Sequence, residues 1–62
     1  MKITNRTKTN HGTDRLDCFQ FDTGHEAHLW QSGAVYIYTP KGNYATQKTM
    51  HRVLGLINQF KH

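Results

Sequence analysis

The periodicity of hydrophobic positions changes twice along the chain. Residues 1–15 are polar and rich in Thr and Asn, and they show no apolar periodicity. From Leu16 to Tyr38 apolar and aromatic residues alternate with polar ones, which is the two-residue period of a half-buried strand. From Met50 to Phe60 they recur at the spacing of an amphipathic helix. The pattern therefore predicts an N-terminal arm, a set of strands and a C-terminal helix.

The predicted arm spans residues 1–15. Only Ile3 can anchor it to a core, so we expect a basic segment that is flexible or lightly docked, with a short edge strand at most over residues 2–4. Residues 16–62 then form a single small α+β domain.

Turn signals divide the alternating stretch into strands. Three triplets end in glycine, and these glycines recur every nine residues: Asp22-Thr23-Gly24, Gln31-Ser32-Gly33 and Pro40-Lys41-Gly42. A three-residue hairpin loop is a type I turn followed by a left-handed residue, a conformation that glycine adopts at little steric cost. Such loops predict the cross-strand pairs Phe21–His25, Phe19–Ala27, Trp30–Ala34, His28–Tyr36 and Tyr38–Tyr44. Residues 43–46 are then either a short fourth strand or a loop that leads into the helix.

The predicted register assigns each side chain to one face of the sheet, because directly opposed residues share a face and successive residues alternate. The first face collects the aliphatic and phenyl side chains of Phe19, Phe21, Ala27, Leu29, Val35 and Ile37. The second face collects Leu16, Cys18, Gln20, Glu26, His28, Trp30, Tyr36 and Tyr38. A two-residue Ser32-Gly33 loop would scatter the aliphatic residues over both faces, which favours the three-residue loop.

The C-terminal segment, residues 46–62, has the apolar stripe that the first face needs. The stripe consists of Met50, Val53, Leu54, Ile57 and Phe60. Thr46 or Thr49 can cap the helix by accepting a backbone N–H. The predicted fold is therefore α+β: a three- or four-stranded antiparallel β-meander with one C-terminal amphipathic helix packed on one face.

Length and cysteine content restrict the classes of protein. The 62 residues allow one small domain, and the single cysteine cannot form an internal disulfide. No apolar run approaches the roughly 18 residues that span a bilayer, and the N-terminus lacks the hydrophobic stretch of a secretory signal. We therefore expect a cytoplasmic protein without a membrane partner.

The formal charge of +4 is unevenly distributed along the chain. Residues 1–15 have four basic residues and Asp14, residues 16–40 have three acids and no Lys or Arg, and residues 41–62 have four basic residues and no acid. The ends are therefore basic and the meander is acidic. Basic clusters of this kind indicate binding to nucleic-acid phosphates.

The helix surface opposite the apolar stripe is a candidate phosphate-binding surface. It carries Lys48, His51, Arg52, Gly55, Gln59 and His62. A glycine inside a helix costs about 1 kcal/mol relative to alanine. Gly55 is therefore either simply tolerated or required for close approach of a partner. The Lys and Arg side chains of this surface are likewise either only solvated or used for binding.

The aromatic residues of the second face have three interpretations. They can stack on nucleic-acid bases, as aromatic sheets do in single-strand binders. They can be buried by the arm or by a second copy of the chain, which would make a homodimer. They can also be ordinary exposed strand residues. Glu26 on the same face disfavours a phosphate backbone there.

Catalytic and metal-binding patterns are weak. His25 and His28 point to opposite faces of a strand, so they cannot bind one metal together. Cys18 lies beside His28 in the predicted register, but no orienting third group is visible for a nucleophile. We expect neither an enzyme nor a cofactor or metal.

These observations lead to two function hypotheses. The first is a small DNA- or RNA-binding protein. Its phosphate contacts would be Arg6, Lys8, Arg15, Lys41, Lys48, His51 and Arg52, with Trp30, Tyr36 and Tyr38 available to bases. The second is a small protein-interaction module or inhibitor of the phage or mobile-element type. It would bind an acidic protein through the helix, or another partner through the aromatic face.

Overall fold

The computed structural model describes residues 1–61 and confirms the predicted α+β meander. Four strands form one antiparallel sheet in the order β1-β2-β3-β4, and a helix follows the last strand. The elements are β1 (Ile3–His11), β2 (Asp14–Phe21), β3 (Glu26–Trp30), β4 (Val35–Tyr38) and α1 (Gln47–Lys61). The predicted helix position His62 lies outside the described residues.

The three glycine-ended loops set the register as predicted. The Phe21 N–H donates to the His25 carbonyl at 3.0 Å, and the Trp30 N–H donates to the Ala34 carbonyl at 2.9 Å. Each loop ends in a glycine with positive φ, at 90°, 107° and 88° for Gly24, Gly33 and Gly42 respectively. The register that follows pairs Phe19 with Ala27, His28 with Tyr36 and Ala27 with Ile37.

The structure corrects the expected N-terminal arm over residues 1–15. Residues 3–11 are β1, an edge strand that pairs with β2 along its length, and Asp14 and Arg15 already belong to β2. A two-residue loop, Gly12-Thr13, joins the strands, with glycine at a φ of 63° in its first position. The strand contains few apolar residues. It is held instead by backbone pairing with β2 and by polar side chains that contact β2.

The strand that completes the four-stranded sheet is therefore β1, at the N-terminal side of the three predicted strands, and not residues 43–46. Residues 43–46, the alternative candidate, form no strand. They contribute the isolated bridge between Tyr38 and Tyr44, and two backbone hydrogen bonds join them to β4 and the turn after it: the Thr39 N–H donates to the Asn43 carbonyl at 2.7 Å, and the Ala45 N–H donates to the Ile37 carbonyl at 2.8 Å. This segment leads directly into α1, so the loop interpretation applies.

The core lies between the sheet and α1. Its buried side chains are Phe19, Phe21, Ala27, Ile37, Val53 and Ile57. Two predicted core residues lie at its margin: Val35, on the edge strand β4, is 36% exposed, and Phe60, in the last helical turn, is 52% exposed. Leu56 packs against the core although the predicted stripe omitted it.

Thr46 caps the helix, as one of the two predicted candidates. Its hydroxyl accepts the Thr49 N–H at 3.4 Å, and its carbonyl accepts the Met50 N–H at 2.9 Å. The cap places the start of α1 directly after the bridge at Tyr44, so the helix returns across the face that carries Phe19 and Ile37.

Alanine substitutions at Gly24, Gly33 and Gly55 should change the free energy of unfolding in different directions. Gly24→Ala and Gly33→Ala force a side chain into positive φ and should each lower the free energy of unfolding by about 1–2 kcal/mol. Gly24→Ala should be the more harmful, because its Cβ would lie 3.1 Å from the Pro40 Cβ, whereas nothing lies within 4 Å at Gly33. Gly55→Ala should raise stability by up to about 1 kcal/mol, because the helical site is open. Urea denaturation measures all three, and equal losses at Gly24 and Gly55 would contradict the assigned turns.

Candidate functional site

The exposed surface of α1 carries the predicted cationic residues. Lys48, His51 and Arg52 are all exposed, and their spacing places them on one side of the helix, away from Val53 and Ile57. Lys41 is exposed in the turn between β4 and Tyr44. A Cβ added at Gly55 would meet nothing within 4 Å, so the described residues leave space above the helix backbone at this point.

Arg6, in contrast, is engaged within the protein. Its Nε and Nη2 donate to the two carboxylate oxygens of Asp17 at 2.9 and 2.7 Å. Its guanidinium carbon lies 4.8 Å from the centroid of the Phe19 ring and 5.8 Å from that of Phe60. This hydrogen bonding raises the pKa of Arg6 and lowers the pKa of Asp17, in each case against a smaller opposing effect of desolvation. Arg6 therefore anchors β1 and the end of α1 over the core.

Lys8 and Arg15 line a groove beside this ion pair, which we call the basic groove. It has a volume of about 300 Å³ and is lined by Lys8, Arg15, Asp17, Leu29, Trp30, Gln31 and Lys61. The sequence hypothesis missed Lys61, because only the helix packing brings the end of the chain next to β1 and β2. Lys8 and Lys61 are also close enough to Asp17 to help lower the pKa of its carboxyl group.

Of the Lys and Arg side chains in the described part of the chain, only Arg6 forms an ion pair. Among residues 1–61, no other Lys or Arg nitrogen lies within 4.0 Å of a carboxylate oxygen. The positive charges of the helix surface and the basic groove are therefore not neutralised locally.

The sheet face away from α1, which we call the open face, carries the predicted aromatic residues. Tyr38 stacks on Tyr44 with ring centroids 5.4 Å apart, and Tyr36 lies 6.3 Å from Tyr44. Trp30 contacts His11 edge to face at 5.2 Å. Tyr36 is 41% exposed and Tyr44 is 71% exposed.

Two residues of this aromatic surface were not among the predicted site residues. The position of Tyr44 could be predicted, because its predicted pairing with Tyr38 places both side chains on the same face of the sheet. The sequence gives no signal for His11, because the absence of apolar periodicity over residues 1–15 predicts an arm, whereas His11 ends β1 in the structure.

A polar cluster lies beside these aromatic rings on the open face. One donor atom each from Cys18, Glu26 and His28 lies within 4.8 Å of the other two. The Gln20 side-chain amide donates to Glu26 Oε1 at 3.0 Å, while Glu26 Oε2 lies 4.0 Å from His28 Nε2. Burial and the neighbouring Glu26 raise the pKa of the Cys18 thiol. His25 is separate from the cluster, because its Nδ1 is 2.7 Å from the Thr23 hydroxyl in the turn.

Comparison with protein families, curated proteins and solved structures finds no match for this chain.

Within residues 1–61, no helix has the length and apolar character needed to cross a bilayer.

The Arg6–Asp17 pair predicts a pH dependence of stability. Asp17 has a lowered pKa in the folded protein, so its contribution is present above the ordinary carboxyl pKa and is lost as the pH falls through the folded value. Asp17→Asn should cost about 1 kcal/mol at neutral pH and progressively less under acid conditions. Urea denaturation across acid and neutral pH measures the difference between the variant and the wild-type chain.

Asp22→Asn is the matched control, because it removes the same charge from an exposed turn where the carboxylate has no ion pair. Asp22 Oδ1 accepts the Lys2 N–H at 3.0 Å, and the amide oxygen of Asn can accept the same hydrogen bond. A cost of Asp17→Asn that stays constant down to strongly acid pH would contradict a role for the ionised carboxylate.

Proposed function

We propose that this protein binds nucleic acid through phosphate groups, using the helix side of the molecule. The observation that carries the proposal is the set of cations without carboxylate partners on this side. They form two groups at the two ends of α1. Lys48 and Arg52 lie near its start, on the surface away from the sheet, whereas Lys61 lies near its end on the side that faces Phe19, with Lys8 and Arg15 across the basic groove.

The dimensions of the helix support this proposal. Its 15 residues extend about 22 Å, which equals the rise of about six base-pair steps at 3.4 Å each. Cations at the two ends can therefore contact phosphates separated by several nucleotides. Arg6 is omitted from the proposed contacts, because its guanidinium is already bound to Asp17.

The distribution of acids also supports the helix side. Glu26 lies on the open face, and Asp17 is neutralised by Arg6. The helix has no acid in its first turn, so Lys48 and Arg52 project a local positive potential that attracts a polyanion. Such binding is electrostatic and independent of sequence, and counterion release makes it strongly dependent on salt.

The exposed aromatic cluster supports a second candidate function. Tyr36, Tyr38 and Tyr44 form a contiguous surface, and Trp30 lies on the same face. Tyr and Trp are the residues most enriched at the energetic centres of protein interfaces, and they also stack on unpaired bases. A protein-interaction module would use this surface in place of the basic helix side.

Fluorescence anisotropy with labelled oligonucleotides tests the first function. We expect binding to mixed-sequence DNA or RNA that weakens by at least about tenfold between roughly 50 and 200 mM salt. Lys48→Glu and Arg52→Glu should each weaken binding and reduce the slope of log affinity against log salt by about 1.

Lys2→Glu is the matched control for these variants. It makes the same change in net charge, but Lys2 precedes the core-facing Ile3 and so lies on the other side of β1. An equal loss of affinity in all three variants would indicate a net-charge effect, and no binding at low salt would reject the proposal.

The aromatic surface is tested separately with a Tyr36→Ala, Tyr44→Ala double variant. If bases stack on it, affinity for single strands should fall by roughly tenfold or more while duplex affinity changes little. If it is a protein interface, both nucleic-acid affinities should stay unchanged, and analytical ultracentrifugation of the wild-type chain against the variant reports self-association.

A further inference from the structure

We propose that Cys18, Glu26 and His28 form a binding site for Zn²⁺ or a similar borderline-soft divalent cation on the open face. The sheet register brings the three residues together. Cys18 on β2 pairs directly with His28 on β3, and Glu26 precedes His28 by two positions, so all three side chains share one face. Their donor atoms lie within 4.8 Å of one another.

The spacing suits a four-coordinate ion after small side-chain rotations. With bonds of about 2.3 Å to sulfur and about 2.0–2.2 Å to nitrogen and oxygen, the ligand atoms of a tetrahedral Zn²⁺ lie roughly 3.4–3.6 Å apart. The Glu26 Oε2 and His28 Nε2 atoms are 4.0 Å apart and need to approach by about half an ångström. No two donor atoms of the cluster are more than 4.8 Å apart, so the largest approach that any pair requires is about 1.3 Å.

The donor set selects the class of metal. Mg²⁺ and Ca²⁺ prefer sites built from oxygen atoms, whereas a thiolate together with an imidazole favours Zn²⁺ and later transition metals. Three protein ligands leave one tetrahedral position for water or an external ligand, the arrangement found in catalytic zinc sites.

Neighbouring side chains hold the donors in place. The Gln20 amide donates to Glu26 Oε1 at 3.0 Å and accepts a hydrogen bond from the Asn5 amide at 3.2 Å. These two hydrogen bonds hold Glu26 Oε1 against Gln20, so that Glu26 Oε2 faces His28. The Tyr38 ring lies edge to face against the His28 ring at 4.9 Å. Contacts of this kind orient metal ligands and limit the rearrangement required for binding.

Cobalt(II) provides a direct test, because it substitutes for zinc and has visible spectra that depend on its ligands. Addition of Co²⁺ to the reduced, metal-free protein should produce a thiolate-to-cobalt charge-transfer band and the intense d–d bands of a four-coordinate ion. Zn²⁺ should abolish both signals at one equivalent and should raise the melting temperature of the protein.

Single substitutions test which side chains bind the metal ion. In competition with a chromophoric chelator, Cys18→Ser, His28→Gln and Glu26→Gln should each lower Zn²⁺ affinity by about 100-fold or more. Gln20→Ala should lower it by about 10–100-fold, as expected for a residue that orients a ligand. His25→Gln is the matched control and should leave the affinity unchanged, because His25 is engaged with Thr23 in the adjacent turn. Far-ultraviolet circular dichroism establishes that each variant is folded.

Two results would overturn the proposal. The first is a cobalt spectrum without the thiolate band, which would exclude Cys18 as a ligand. The second is a Zn²⁺ affinity that Cys18→Ser or Glu26→Gln leaves unchanged in the folded protein. Neither result depends on nucleic-acid binding, because oligonucleotides are absent from these titrations.

Discussion

Both surfaces of the sheet depend on the turns that set its register. A slip of one residue between two strands would exchange their faces, since successive side chains point in opposite directions. Phe19, Ala27 and Ile37 would then leave the core, and the aromatic cluster of the open face would be dispersed. Glycines with positive φ at 24, 33 and 42 close the three loops at the required length and thereby specify one pairing.

Much of the fold could be predicted because β2, β3, β4 and α1 bury one apolar face each. Their periodicity is visible in the sequence, and the glycine spacing gives the loop lengths. The strand β1 could not be predicted in the same way, because Ile3 is its only strongly apolar residue. Arg6 takes the place of a core residue by covering the Phe19 ring, a role that is invisible until its pairing with Asp17 is known.

Candidate sites were predictable to the extent that they follow strand alternation or helix spacing. The exposed positions of Lys48, His51 and Arg52 and the shared face of Tyr36 and Tyr38 follow from local pattern. The basic groove depends on three distant segments, so the sequence alone could not place Lys61 beside Lys8. Glu26 was assigned correctly to the open face, but its proximity to both Cys18 and His28 depends on side-chain conformations that alternation does not specify.

The order of the elements has a consequence for biosynthesis. Every strand pairs with its neighbour in the chain, so the sheet can assemble by successive hairpins with little loss of loop entropy. The helix that covers Phe19 and Ile37 is translated after all four strands. While α1 is still within the ribosome, the emerging meander exposes its apolar face, and this interval is when the nascent chain is most exposed to aggregation and to chaperones.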